Sequence, residues 1–308
     1  MLRQIVRDTY SYAAHWPKLL GAEQCFLCRS ISWPGKGDQE IFARLILKKI
    51  VMAELPDLEV FAQILSHRFR GKTLEELEVK VTKKLNVTAV QLKAKLEGEK
   101  LSKVLRYGKT LHFHFSKEVL QVHLMLRGKL EVLKKDSKLP KYTILAFHFA
   151  GGEGFAVVDM LRAATPTLNP DAAKAPDALE MEEDYFAEAL FKSKKMVKEI
   201  LMDQKKMRGI GNSYADEILW DARVSPFSIS SAIPEKIIKK LFKSLGAVLK
   251  EAIAAIAKEN GDELRGELRD FMKVHGAQLE KSPSGAAVKA EKIGGRTSYY
   301  TNEQKLYS

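Results

Sequence analysis

The chain has 308 residues and carries 51 Lys and Arg against 39 Asp and Glu, which gives a formal net charge of +12. An apolar fraction of 45% is typical of a globular protein with its own core, and no apolar run reaches the ~20 residues of a membrane-spanning helix. Because Cys25 and Cys28 are the only cysteines, a disulfide-linked secreted scaffold is excluded. The positive charge favours a polyanionic partner, namely DNA, RNA or an anionic membrane surface; the alternative is a protein that is merely basic.

The first 51 residues differ in composition from the rest of the chain. They contain both cysteines, two of the three tryptophans, and eight basic against four acidic residues. Cys25 and Cys28 have the spacing of a redox pair or of half a zinc site, but a zinc site needs four ligands and no second cysteine pair exists. We therefore expect no metal in residues 1–51 and treat them as an atypical N-terminal extension.

Residues 52–165 are predicted to form a helix followed by an antiparallel sheet or sandwich. Pro56 suits the first turn of a helix and Gly71 suits its end. Apolar residues lie between them at helical spacing: Leu58, Phe61, Ile64, Leu65 and Phe69. Further along, apolar and polar residues alternate, which is typical of half-buried strands. The strands predicted in this way cover Thr110–Phe115, Leu120–Leu126, Thr143–Phe149 and Phe155–Met160.

The period of the pattern changes after a proline-rich stretch. Three prolines lie between residues 163 and 176, and we interpret residues 166–177 as an interdomain linker. Residues 178–273 form the next predicted domain, with helices near residues 180–192, 194–202, 213–222, 234–258 and 262–273. Residues 274–308 are rich in Gly, Ser and Lys and only weakly β in pattern. A strand-type apolar pattern in residues 52–165 followed by a helical pattern in residues 178–273 favours the α+β class.

The sharpest short motif is Gly209-Ile210-Gly211-Asn212, which precedes a predicted helix. Two glycines let the backbone come close to a ligand, and Asn212 is a natural N-cap for a helix that begins at Ser213. Such a helix N-terminus offers free N–H groups to an anion, and a DNA phosphate suits the charge of the chain. The alternative is a tight helix–helix turn that binds nothing.

A longer stretch around this motif carries a family resemblance. The segments 201–204, 209–217 and 222–226 together resemble the helix–two-turn–helix signature of the formamidopyrimidine-DNA glycosylase/endonuclease VIII family. Four more segments resemble motifs of that family, in the family's order: Ala53–Glu59 its N-terminal catalytic motif, Arg106–Lys109 its β-strand lysine motif, His123–Gly128 a loop motif, and Gly295–Tyr300 its arginine-bearing finger hairpin. The resemblance covers Met52 to the end of the chain.

The resemblance implies a fold and an activity. The fold is α+β: an N-terminal β-sandwich with a leading helix, a helix–two-turn–helix domain and a C-terminal hairpin finger, with DNA in the cleft between domains. Enzymes of this family excise oxidised bases from duplex DNA and nick the resulting abasic site. The nucleotide must leave the base stack to be reached. The roles implied are a Schiff-base amine at Ala53, a general acid/base at Glu54, and phosphate contact with lyase assistance at Lys109.

The resemblance also implies a set of DNA contacts. Asn212 and Arg296 would hold backbone phosphates, and Gly209 and Gly211 would permit close approach. Lys198 matches a family lysine, so it either contacts a phosphate or lies on an exposed helix face.

Some positions depart from the family pattern. Leu126 matches the family's intercalating methionine and could still place apolar bulk between bases. Arg162 retains one of two family arginines, but Leu161 and Ala163 replace the other arginine and a phenylalanine that fill the gap left by the flipped base. We therefore do not infer from the resemblance that this chain has the family's selectivity for the opposite base or its specificity for oxidised guanine.

The nucleophile position departs most. Ala53 replaces the family's proline, and inside the given chain its nitrogen is an amide without a basic lone pair. If translation started at Met52, methionine removal would leave a free α-amine with a pKa of about 7.7–8.0. A primary amine can form a Schiff base, so we hypothesise Met52 as the start.

The finger lacks the family's zinc ligands, since no cysteine follows residue 28. We expect a zincless finger, in which packing of the hairpin presents Arg296, and we expect no cofactor. The alternative is that the tail is simply degenerate. The expected partner is duplex DNA with damaged bases or abasic sites, bound by a monomer that contacts no membrane. We expect the protein to be intracellular and, in a bacterium, cytoplasmic at the nucleoid. Two alternatives stay open: a catalytically silent protein that binds damaged DNA, and a hydrolytic glycosylase without lyase activity.

Overall fold

The computed structural model describes residues 52–265 and 268–308, and residues 52–308 form one compact unit. The expectation that Cys25 and Cys28 hold no metal lies outside the described residues. Within those residues, no helix is long and apolar enough to cross a bilayer.

Helix α1 (Leu55–Phe69) begins where the sequence predicts it. The Glu54 N–H donates to Asp57 Oδ2 over 2.9 Å, which satisfies one of the free donors at the helix start. Ser66 attaches the helix to a neighbouring strand, because its Oγ donates to the carbonyl of Val104 (2.9 Å) and accepts from the Val104 N–H (2.8 Å). The predicted helix is confirmed.

Two four-stranded antiparallel sheets follow α1. The elements in chain order are β1 (Leu74–Val79), α2 (Ala89–Leu96), β2 (Leu101–Tyr107), β3 (Thr110–Phe115), β4 (Glu118–His123), β5 (Lys129–Leu133), β6 (Thr143–Phe149), β7 (Gly154–Val158) and β8 (Thr165–Leu168). One sheet has the order β1-β6-β7-β5 and the other β2-β3-β4-β8. Phe113 of the second sheet stacks on Phe147 and Phe155 of the first at centroid distances of 5.6 and 5.3 Å. The two sheets therefore pack face to face as a sandwich, as the α+β prediction requires.

Two of the predicted strands end earlier than expected. β4 ends at His123, and the residues up to Gly128 form a turn closed by the Gly128 N–H and the Leu124 carbonyl at 2.9 Å. β7 ends at Val158, because the buried carboxylate of Asp159 accepts backbone N–H groups further along the chain and folds it into a loop.

The predicted linker 166–177 is wrong at its start. Residues up to Leu168 belong to β8, which pairs with β4 at the edge of the second sheet. Pro166 and Leu168 are buried while Thr165 and Thr167 are partly exposed. An edge strand tolerates proline because an edge residue can do without its N–H, so the proline did not mark a linker here.

The helical part contains α3 (Glu183–Phe191), α4 (Val197–Leu201), α5 (Asn212–Asp221), a short 3₁₀ turn (Ser230–Ala232) and α6 (Glu235–Asn260). The helix predicted over residues 262–273 is wrong for the described residues 262–265 and 268–273, which contain none. Gly261, with φ of +55°, ends α6. Leu264, Leu268 and Phe271 have helical spacing but pack from an irregular segment against buried residues of α1 and α6.

The weakly β tail forms a hairpin of β9 (Lys289–Ile293) and β10 (Arg296–Tyr300). Gly294 and Gly295 connect the strands with φ of +55° and +78°, a backbone region that favours glycine. Ser298 is fully buried, and the Tyr299 N–H donates to Asp216 Oδ2 of α5 over 3.0 Å. The hairpin is thus bound to the helical part through hydrogen bonds and packing.

Candidate active site

Glu54 lies at the centre of the candidate site, between the start of α1 and the start of α5. The residue is 3% exposed, and its Oε1 accepts the Ser213 N–H over 3.0 Å. Its carboxylate therefore caps α5, where the helix dipole favours negative charge. The other oxygen, Oε2, is buried and has no hydrogen-bond partner among the described residues. Glu54 thus presents one constrained oxygen and one free oxygen.

Both glycines of the Gly-Ile-Gly motif make room for the segment that carries Glu54. A Cβ on Gly211 would lie 2.2 Å from Glu54 Cδ, and a Cβ on Gly209 would lie 2.4 Å from Leu55 Cδ1. Gly209 also has φ of +112°, and its carbonyl accepts the Leu55 N–H over 3.3 Å. The close approach predicted for these glycines is therefore made by the chain itself, at Glu54 and Leu55.

Asn212 is the first residue of α5 and not its N-cap, which corrects the sequence prediction. Gly211 occupies the N-cap position and the Glu54 carboxylate supplies the capping oxygen. Asn212 Nδ2 donates instead to the carbonyl of Thr297 over 2.9 Å, so the residue connects α5 to β10.

Positive charges surround the Glu54 carboxylate. Burial by itself raises the pKa of Glu54, but Lys109, Arg269 and the Ser213 N–H together outweigh burial and lower the pKa below its usual 4.5. Glu54 is therefore ionised at neutral pH, and its free oxygen can accept a proton or stabilise a positive charge.

Lys109 occupies the turn between β2 and β3. Asp177 holds that turn, because its carboxylate accepts the Gly108 N–H over 2.7 Å and forms a buried ion pair with Arg106. Burial lowers the pKa of Lys109, the Arg296 charge lowers it further and Glu54 raises it, and the net result is a pKa below the usual 10.5. Lys109 donates no hydrogen bond within the described part of the chain, so its ammonium is available to a ligand.

Ala53 is 5% exposed and packs in the core under α1. It directly precedes Glu54, whose N–H is held by Asp57. The structure therefore brings together Ala53, Glu54 and Lys109, the three residues predicted to be catalytic.

Of the two alternatives offered for Lys198, the exposed helix face is wrong, and the phosphate contact stays a prediction. Its side chain is 0% exposed, so it does not lie on an exposed helix face. Nζ forms an ion pair with Asp216 at 2.6 Å and donates to Ser298 Oγ at 2.6 Å and to the Thr297 carbonyl at 3.4 Å. The ammonium group thus makes two hydrogen bonds to residues of β10 and an ion pair with Asp216 Oδ1. Lys198 therefore attaches the hairpin to the helical part.

Arg296 begins β10 and is exposed. The carbonyl of the next residue, Thr297, accepts hydrogen bonds from Asn212 and Lys198, so Arg296 lies near the start of α5, which Glu54 caps. Its charge lowers the pKa values of both Lys109 and Lys198.

Two loops expose apolar side chains. Met125 and Leu126 follow β4 and are 37% and 42% exposed, and Leu161, after β7, is 44% exposed. Asp159 shapes the second loop by accepting the N–H groups of Leu161, Ala163 and Ala164 at 2.7–2.9 Å. Arg162, also exposed, has φ of +52° within this loop.

Models of two protein domains match the chain: the formamidopyrimidine-DNA glycosylase N-terminal domain over residues 52–165 and the formamidopyrimidine-DNA glycosylase H2TH domain over residues 172–261. The chain belongs to the formamidopyrimidine-DNA glycosylase family. A glycosylase of this name from Carboxydothermus hydrogenoformans is 32% identical over 242 residues, covering 74% of this chain and 84% of that protein. Another, from Lactobacillus gasseri, is 28% identical and covers 83% of this chain and 100% of that protein.

Solved structures of the family have the same fold. The Lactococcus lactis enzyme in complex with abasic-site DNA has a TM-score of 0.73 at 26% identity, covering 81% of this chain and 98% of that one. A complex of the same protein with a THF-DNA and an inhibitor has a TM-score of 0.74 at 26% identity, covering 82% and 100%. The α+β prediction and the family resemblance are confirmed.

Sequence reasoning missed three charged residues of the candidate site. Asp177 fixes the Lys109 turn, Asp216 holds Lys198 and the hairpin, and Arg269 pairs with Asp57 close to Glu54. Asp216 lies within the motif that carries the family resemblance, so it could have been identified from the sequence as an acidic residue on the buried face of a helix. Asp177 and Arg269 belong to no motif, and no local pattern identifies their partners.

Proposed function

We propose that this protein is a DNA glycosylase of base-excision repair, which removes damaged bases from duplex DNA. The observation that carries the proposal is the Glu54 carboxylate, buried beside Lys109 with one oxygen held by the Ser213 N–H and the other free. An ionised carboxylate fixed in this way can accept a proton from an attacking amine or water and can stabilise the positive charge that develops on the sugar.

We propose that base removal and the following lyase step both use the amine of Ala53, provided that Ala53 is the N-terminal residue. The neutral amine attacks C1′ and the bond from C1′ to the base breaks, so its electron pair leaves with the base, which takes up a proton. One proton then passes from the nitrogen to the ring oxygen as the bond between C1′ and that oxygen breaks, and the nitrogen lone pair forms the C1′=N bond of a protonated imine, which allows strand nicking. With Ala53 internal, the same site retains Glu54 for hydrolytic removal. The match of the family model begins at residue 52, which supports a catalytic unit that starts there.

We propose that DNA is bound by Arg296, Asn212 and the backbone around Gly209 and Gly211, with Lys109 on a phosphate near the reacting sugar. The exposed Leu126 and Arg162 would enter the space left by the extruded nucleotide. A finger without zinc is supported by the contacts of Lys198 and Asp216, which hold β10 through polar and ionic interactions.

The first experiment separates three activities. The full chain is incubated with duplexes that carry oxidised purines or pyrimidines, and the products are resolved with and without alkali. Nicking without alkali indicates glycosylase and lyase activity, and nicking only after alkali indicates hydrolytic removal. Binding without nicking under either condition contradicts the proposal and indicates a silent damage-binding protein. Glu54→Gln is the control, because it keeps the shape of the side chain but removes its charge.

The second experiment tests the amine. Chains beginning at Met1 and at Met52 are treated with borohydride on abasic-site DNA, and the crosslinked peptide is mapped by mass spectrometry. We expect a crosslink at Ala53 in the shorter chain alone. No crosslink in a shorter chain whose N-terminus is shown to be Ala53 would exclude this nucleophile.

A further inference from the structure

A buried ion pair lies beside Glu54, and its cation belongs to no sequence motif. The guanidinium of Arg269 donates from Nη1 to Asp57 Oδ1 over 2.9 Å and from Nη2 to Asp57 Oδ2 over 2.7 Å. The two side chains are only 11% and 1% exposed. A two-point contact of this kind fixes the orientation of both groups and not only their separation.

Asp57 connects this pair to the catalytic peptide. The oxygen that accepts Arg269 Nη2, Oδ2, also accepts the Glu54 N–H over 2.9 Å. The peptide between Ala53 and Glu54 is thus hydrogen-bonded to a carboxylate whose own orientation is set by Arg269. Replacement of Arg269 should therefore displace both the backbone nitrogen of Glu54 and Ala53, the residue proposed as nucleophile.

Arg269 comes from the irregular segment after α6, 212 residues from Asp57 in sequence. Its neighbours Leu268 and Phe271 pack against α1, and its guanidinium lies 5.4 Å from the ring centroid of Tyr214 in α5. Nε is buried and has no hydrogen-bond partner in the part of the chain that the structure describes. Because little water surrounds the guanidinium, its charge is weakly screened toward Glu54.

We propose that Arg269 is a positioning residue of the active site: through Asp57 it fixes the Ala53–Glu54 peptide, and its guanidinium supplies positive charge opposite the Glu54 carboxylate. The inference rests on the proposed function only in taking Glu54 as the acid/base group. The charged and titratable groups that face Glu54 are Lys109 from the β2–β3 turn, Arg269 and His275 from the segment after α6, Lys198 from α4, Tyr214 from α5 and Asp57 from α1.

The charges of the pair predict opposite effects of two substitutions. Arg269→Gln removes a positive charge near Glu54, so the titration midpoint of Glu54 rises by ~1 pH unit or more, as expected for loss of an opposite charge at short range. Asp57→Asn removes a negative charge and leaves Arg269 free to act on Glu54, so the pKa of Glu54 falls. A residue that only held the segment to α1 would not give changes of opposite sign.

The test measures Glu54 directly in the full chain. Glutamate labelled with ¹³C at the carboxyl carbon is titrated by NMR, and the Glu54 signal is identified by its loss in Glu54→Gln. Arg265→Gln is the matched control, because Arg265 lies on the same segment but is 50% exposed and pairs with Glu263 at the surface. We expect a higher Glu54 midpoint in Arg269→Gln, a lower one in Asp57→Asn and no change in the control.

The pH dependence of single-turnover excision supplies a second readout. If ionised Glu54 is required, the acidic limb moves to higher pH in Arg269→Gln, and the rate on that limb falls about tenfold for each pH unit by which the limb moves. Equal Glu54 midpoints in the wild-type, Arg269→Gln and Asp57→Asn proteins would overturn the inference.

If Arg269→Gln does not fold, Arg269→Lys and Asp57→Asn test the role of Arg269 in its place. Arg269→Lys should keep the Glu54 midpoint but slow excision, because the two-point contact with Asp57 is lost. If the wild type does not excise, the proposed function fails and the NMR titration still decides the role of Arg269.

Discussion

Replacement of Gly211 by alanine tests the packing between the glycine motif and the Glu54 carboxylate, which we propose to be catalytic. An added Cβ would lie 2.2 Å from Glu54 Cδ, 2.4 Å from Oε2 and 2.6 Å from Oε1. Carbon and oxygen need more than 3 Å, so the carboxylate must move by about 1 Å and lengthen its 3.0 Å bond to the Ser213 N–H. Gly211 has φ of −117°, which alanine adopts easily, so the effect isolates the steric contact.

The expected magnitudes follow from this displacement. Overpacking of this size costs ~1–3 kcal/mol of unfolding free energy. A movement of about 1 Å in a catalytic group costs on the order of 100-fold in rate. Binding to a duplex with a tetrahydrofuran abasic analogue should change much less, because alanine keeps the backbone N–H at position 211 and Glu54 contributes no positive charge to DNA.

The assay compares single-turnover excision, chemical denaturation and binding in Gly211→Ala and in Gly246→Ala. Gly246 is the matched control, because it lies in α6 with nothing within 4 Å of its Cβ position, and alanine there should stabilise the helix by up to ~1 kcal/mol. Wild-type excision and stability in Gly211→Ala would refute the reasoning. Equal losses in both variants would also refute it, because the contact with Glu54 would then be irrelevant.

The buried charges and the exposed arginine lead to three further predictions. Lys198→Met should lower the unfolding free energy by ~3–5 kcal/mol in denaturant titrations, because it removes the lysine cation paired with the buried Asp216 carboxylate. A loss no larger than that caused by substitution of an exposed lysine would contradict the assignment. Arg296→Ala should leave the melting temperature unchanged, weaken binding to duplex DNA and reduce the slope of log affinity against log salt concentration by about 1. An unchanged slope would show that Arg296 does not contact a phosphate. The folded-state pKa of Glu54 is lowered, so its contribution to stability is present above about pH 4.5 and is lost as pH falls through the folded-state value; Glu54→Gln should therefore flatten acid-induced destabilisation followed by circular dichroism.

Local signals in the sequence predicted much of the fold. The start of α1 could be located because Pro56 and the apolar period are both short-range features. Thr165–Leu168 was missed because Pro166 is equally compatible with a linker and an edge strand. The apolar spacing of Leu264, Leu268 and Phe271 indicated a helix, but those side chains pack on α1 from an irregular segment, so packing overrode the periodicity.

The candidate site was predictable only where the family resemblance supplied residues. Ala53, Glu54 and Lys109 lie together as that resemblance implied. The contacts that hold them, however, join residues far apart in sequence: Glu54 to Ser213 across 159 positions and Asp57 to Arg269 across 212. Charge pairing over such distances has no local signature, and Lys198 shows that a motif lysine can be a buried structural cation.

The same separations have a consequence for synthesis of the protein. A chain grows from its N-terminus, so Glu54 leaves the ribosome long before Ser213, Arg269 and the hairpin that Lys198 holds. Contacts of such long range form late in folding. The sandwich can therefore acquire its core while the catalytic carboxylate still lacks its cap and its facing cations. We expect nascent chains shorter than about 270 residues to be folded in part yet inactive. The proposed nucleophile Ala53 and its proposed acid/base partner Glu54 should become competent only when nearly the whole chain has emerged.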